Sequence, residues 1–176
     1  MQAIPLVFAI RGLDRVLRYP QSPAVVAAVV LIATLYVAYS IRHPGIRRHL
    51  WNFSWLKIPS VIVAVTAAIV EEFYFRHALM DWLAHNQVGV TYQILLSGLA
   101  FGLFHAMWGV WGGWRVVWGA VSATSTLGFA LGALYVISGR HLVGPIEAHF
   151  LIDLVLEPAL VIFAVEAGGK EKASVI

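Results

Sequence analysis

The run IPSVIVAVTAAIVEEFYFRHALM, from Ile58 to Met80, decides how this chain is read. A helix of that length crosses the ~30 Å of hydrocarbon in a bilayer. Its first half is apolar, yet its second half carries Glu71, Glu72 and Arg76. Each charge at mid-membrane costs at least ~2.5–3.5 kcal/mol, so a spanning segment that keeps three of them needs a reason to do so.

Neighbouring segments have the same character. Pro23 to Ile41 is long enough to span and holds no charge. Val90 to Trp108 carries His105, and Val116 to Ser138 carries no charged side chain. Leu142 to Val165 holds Glu147, His149, Asp153 and Glu157, with Pro158 inside it. That proline makes the last segment one kinked helix or two shorter pieces. The expected fold is all-α, a polytopic transmembrane helix bundle of five to six spans with a polar cavity inside the bilayer. Residues 1–57 form an interfacial segment, a first span and a basic loop. Residues 58–165 form the catalytic core, and residues 166–176 a flexible end.

Composition agrees. Of 176 residues, 60% are hydrophobic and only 12% charged, about half the ~25% of a soluble domain. Mean hydropathy is +0.81. A disordered chain and an ordinary water-soluble domain are both excluded. Twelve Lys+Arg against nine Asp+Glu give +3, and the basic residues sit in short runs between apolar segments. They therefore speak for orientation in a membrane, with no nucleic acid as partner. The absence of cysteine removes a disulfide framework, a Cys nucleophile and any Cys-ligated metal.

With five spans, seven Lys+Arg lie on the side of the Arg42–Lys57 loop and four on the other, which favours a cytoplasmic Arg42–Lys57 loop. Met1 to Ile10 is apolar but precedes Arg11, Arg15 and Arg18, the reverse of a signal peptide. The segment reads equally as a helix lying on the membrane surface and as a frayed tail. Trp51, Trp55, Trp108, Trp111, Trp114 and Trp118 bracket two loops and mark interfaces. The pairs Gly98/Gly102 and Gly128/Gly132 set small residues one turn apart and permit close helix contact.

The buried polar residues are the functional signal. Glu72 and Arg76 are i, i+4 and can pair. Glu71 lies about 100° round the helix from Glu72, so it needs another partner or holds a proton. A structural ion pair beside a protonated Glu explains this motif as well as catalysis does. His105 alone reads as a helix–helix hydrogen-bond partner. His149 and Asp153 are i, i+4, so Asp153 can accept from one ring nitrogen and leave the other facing a cavity. Together these groups, drawn from three spans, suit activation of water.

In this order and on separate spans, Glu71-Glu72-x-x-x-Arg76, Phe101-x-x-x-His105 and His149-x-x-x-Asp153 resemble the motifs of the CAAX-processing and bacteriocin-processing (CPBP, or Abi) intramembrane proteases. The stretch Leu127 to Tyr135, followed by Ser138 to Leu142, is similar to another segment of that family, and the resemblance runs from about Ile58 to Leu160. It implies a peptidase embedded in the bilayer. Glu71 and His105 would activate water, Glu72 and Arg76 would support the site, and His149 and Asp153 would stabilise the oxyanion. The family's usual Asn is replaced here by Asp153, and an ionised Asp donates no hydrogen bond. Asp153 is therefore expected to orient His149 and stabilise its protonated form.

The favoured reading needs no cofactor. A rival scheme puts zinc on His105, His149 and Glu71, although no His-Glu-x-x-His run is present. Outside the proteases, a proton-coupled transporter and a non-catalytic scaffold or immunity protein of the same fold are the alternatives. The expected partners are the lipid bilayer and a membrane-associated peptide or protein. The expected location is a prokaryotic plasma membrane.

Overall fold

A computed structural model describes residues 22–51, 54, 55 and 57–173. All regular structure among these residues is helical. The surface-helix reading of the first twenty residues lies outside them.

Helix α1, Pro23–Ser40, starts where Ser22 accepts a hydrogen bond from the Val25 amide at 3.3 Å and Pro23 fixes the first turn. Val25, Val29 and Ala33 recur every fourth residue and face inward. Its outer face, including Val30, Leu31 and Leu35, is exposed and apolar, as a lipid-facing helix requires. A short helix α2, Pro44–Leu50, follows.

The deciding segment is one long rod. It runs as α3, Lys57–Glu72, continues through a π-helical stretch Phe73–Met80, and ends as α4, Asp81–His85. Ser60, Ala64, Ala68, Glu72, Arg76 and Met80, every fourth residue, are all buried. Small side chains at the start of this stripe let the last helix approach closely. The same stripe then carries Glu72 and Arg76 into the core. The sequence predicts a regular α-helix here; the wider π turn is a departure from it. Such turns put backbone carbonyls out of register, and Ser97 donates to the carbonyl of Phe75 at 2.8 Å.

Helix α5, Val90–Phe104, tightens into a 3₁₀ turn at His105–Trp108 and leads to α6, Gly109–Ile137. The glycine reading holds where these two helices cross. A Cβ on Gly128 would sit 2.8 Å from Gly98 Cα, and one on Gly98 would sit 2.1 Å from the Phe129 ring. Gly132 would meet only ordinary contacts at 3.6 Å. The turn to the last helix places Gly139 and Arg140 at φ of 70° and 64°.

Helix α7, Val143–Ala173, is continuous through Pro158, so the split into two pieces is not what forms. Its helical span extends to Ala173. Among the described residues, four helical stretches are long and apolar enough to cross a membrane: Pro23–Ser40, Lys57–His85, Val90–Met107 and Val117–Ile137. Helix α7 is a fifth long helix, packed against α1, α2, α3 and α6, and its polar residues hold its hydropathy down. The architecture is the all-α membrane bundle expected from the sequence.

Candidate active site

Side chains from α3, the π stretch, the end of α5 and α7 converge. Glu72 and Arg76 are fully buried, with Glu72 Oε1 3.0 Å from the Arg76 guanidinium. Arg76 also donates to the carbonyl of Gly128 at 3.0 Å. Its position therefore depends on the glycine crossing of α5 and α6, which brings that carbonyl within reach.

The same Glu72 Oε1 accepts from His149 Nδ1 at 2.8 Å. His149 Nε2 lies 3.3 Å from Asp153 Oδ2. Asp153 contacts His149 on Nε2, and the other ring nitrogen, Nδ1, meets Glu72. The shorter bond is the one that Nδ1 donates to Glu72. An Nδ1 partner on another helix is invisible to spacing along α7.

Glu71, turned away from Glu72 as the helix geometry requires, faces the other histidine. Its Oε2 is 3.8 Å from His105 Nε2 and 3.9 Å from His149 Nε2. That oxygen is buried and makes no direct hydrogen bond. His105 Nδ1 donates to the Phe101 carbonyl at 2.8 Å. With Nδ1 donating, a neutral His105 carries its lone pair on Nε2, towards Glu71.

The structure therefore brings together Glu71, Glu72, Arg76, His105, His149 and Asp153. Glu157, one turn beyond Asp153, lies within electrostatic reach of Asp153, Glu71 and His149. Phe101 is the residue whose importance the sequence understated. Its buried ring lies 4.7 Å from the His105 ring, 5.6 Å from the His149 ring and 4.7 Å from the Arg76 guanidinium carbon. One side chain sets the spacing of three polar groups, and its carbonyl fixes the tautomer of one of them.

A family model described as type II CAAX prenyl endopeptidase Rce1-like matches residues 53–155, more than half of the chain. The chain belongs to this Rce1-like family. The match takes in all three polar motifs, the helices that carry the first two and the start of α7, which carries the third. Membership makes the protein an intramembrane endopeptidase of the CAAX-processing type, and with its four apolar spans it is an integral membrane protein. Comparison with curated proteins and with solved structures gave no match.

A second polar group lies apart from this site and was missed in the sequence. Arg140 contacts Asp81 at 2.6 Å and Gln93 at 2.5 Å. Asp81 also accepts from Tyr135 at 3.0 Å and contacts His77 at 2.9 Å. Only the i, i+4 spacing of His77 and Asp81 signals it in the sequence. Its polar side chains satisfy one another, and they tie α4, α5 and the turn before α7 together.

Proposed function

We propose that this protein hydrolyses a peptide bond in a membrane-associated protein or peptide, using water activated by Glu71 and His105. One observation carries the reading: the buried, unpartnered Oε2 of Glu71 lies almost equally far from two imidazole nitrogens. At 3.8–3.9 Å those contacts are too long for direct hydrogen bonds, and one water oxygen can bridge them.

In the proposed reaction Glu71 takes a proton from water that also donates to His105 Nε2. The oxygen attacks the scissile carbonyl carbon. The oxyanion so formed is held by His149 Nε2–H. The C–N bond then breaks as the proton held by Glu71 passes to the leaving amine. Glu72 holds His149 by Nδ1, and Arg76 holds Glu72. Asp153 steadies the charged imidazolium and shares its Nε2 proton with the oxyanion.

The rival zinc scheme needs lone pairs on both histidines. Both ring nitrogens of His149 face carboxylate oxygens, which accept only from N–H groups. An imidazolium satisfies both carboxylates and offers a metal no ligand. These points support the metal-free scheme. The proposed substrate is a prenylated CAAX-type C-terminus, a leader peptide or a C-terminal sorting tail, and the Rce1-like family supports the first of these. Family membership also speaks for the peptidase over the transporter and scaffold alternatives.

The test is cleavage of a membrane-anchored reporter peptide by purified wild type and Glu71→Gln. Loss of a general base lowers the rate by about 10²–10⁴-fold, and the variant should keep its helix content. A folded Glu71→Gln protein that cleaves at the wild-type rate would refute the assignment.

A further inference from the structure

We infer that α2 and the residues flanking it form a binding surface for anionic phospholipid headgroups. Between Ser22 and Val70 the chain has no Asp or Glu, but it carries Arg42, Arg47, Arg48 and Lys57. Arg42, Arg47 and Arg48 are exposed. The segment joins the end of one membrane-spanning helix to the start of another, which sets it at the membrane–water boundary. Trp51, on the same connection, is 91% exposed, and Trp55 is 74% exposed. Exposed indole rings beside exposed guanidinium groups match the headgroup level, where rings meet acyl carbonyls and cations meet phosphates.

Helix α2 is also fixed in place. His49 is buried, and Ile46 packs on the core cluster that includes Ala148, Ile152 and Leu156 of α7. The arginines thus sit on a seated helix and present a defined array, where a loose tail would have to be ordered first. An acidic protein could meet the cations, but it would leave the two indole rings unexplained. The lipid surface uses both.

The test is independent of proteolysis. The full-length protein in detergent is offered phosphatidylglycerol or phosphatidylcholine, and retained lipid is counted by native mass spectrometry. Each arginine near an anionic surface contributes roughly fivefold to binding. Wild type should therefore retain phosphatidylglycerol over phosphatidylcholine. The triple variant Arg42→Gln, Arg47→Gln, Arg48→Gln should lose that preference by about one to two orders of magnitude. A triple Lys variant should keep most of it, which separates loss of charge from damage to the fold. Equal retention of the two lipids by wild type would overturn the inference. So would an undiminished preference in the Gln variant. Displacement of the lipid by an equal concentration of inorganic phosphate would also overturn it, since a simple anion site would then suffice.

Discussion

Charged and imidazole groups at membrane depth are costly, and that cost is why Glu71, Glu72, Arg76, His105, His149 and Asp153 could all be picked from the sequence. What could not be picked was which nitrogen meets which oxygen. The 2.8 Å bond from His149 Nδ1 to Glu72 joins residues far apart in the chain, so no local spacing announces it. Phe101 was legible only as the start of a motif, because an apolar ring among apolar residues carries no signal of what it touches. Two predictions belong here. Asp153→Asn exchanges a charge-assisted hydrogen bond for a neutral one, a loss of about 1 kcal/mol or roughly fivefold in turnover. Steady-state cleavage with an unchanged melting temperature would bear this out, and undiminished turnover would show that the carboxylate has no special role. Arg76→Ala leaves Glu72 buried without its guanidinium and should destabilise the protein by about 3–5 kcal/mol. Thermal unfolding in detergent measures it. The pair Glu72→Gln with Arg76→Met should recover part of that stability without recovering cleavage, because Glu72 also holds His149.

At the level of elements, hydropathy placed the membrane-spanning helices closely, because each one must satisfy its backbone within a nearly uninterrupted apolar run. The π stretch at Phe73–Met80 stayed hidden. Residues four apart share a face in both kinds of helix, so the Glu72–Arg76 spacing fits either. The continuity of α7 through Pro158 was equally open in the sequence, since packing decides whether a proline ends a helix or is absorbed by it. The crossing of α5 and α6 yields a sharp prediction. Gly128→Ala drives a Cβ to 2.8 Å from Gly98 Cα, an overpacking cost of about 1–3 kcal/mol. It also shifts the carbonyl that holds Arg76. Gly132→Ala has room and should melt like wild type. Comparing the two variants by unfolding and by cleavage separates the crossing from glycine content in general: Gly128→Ala should lose both stability and rate.

Across the described residues two polar systems stand apart. One gathers the proposed catalytic groups, Glu71, Glu72, Arg76, His105, His149 and Asp153. The other, around Asp81 and Arg140, ties helix ends together with side chains that satisfy one another. Asp81 and Arg140 are each about a third exposed, so Arg140→Gln should cost only about 1 kcal/mol. The cleavage rate should be unchanged within a small factor. Orientation was legible only through Lys+Arg bias, and the Arg42–Lys57 connection is where that bias is strongest. The central claim is that carboxylate and imidazole groups break the peptide bond without a metal. Its most direct test is the cleavage rate of the purified protein after exhaustive chelation, with bound metal quantified in the same sample by elemental mass spectrometry. The account predicts full activity in protein free of stoichiometric metal. Activity that falls with the metal content and returns when zinc is added back would contradict it.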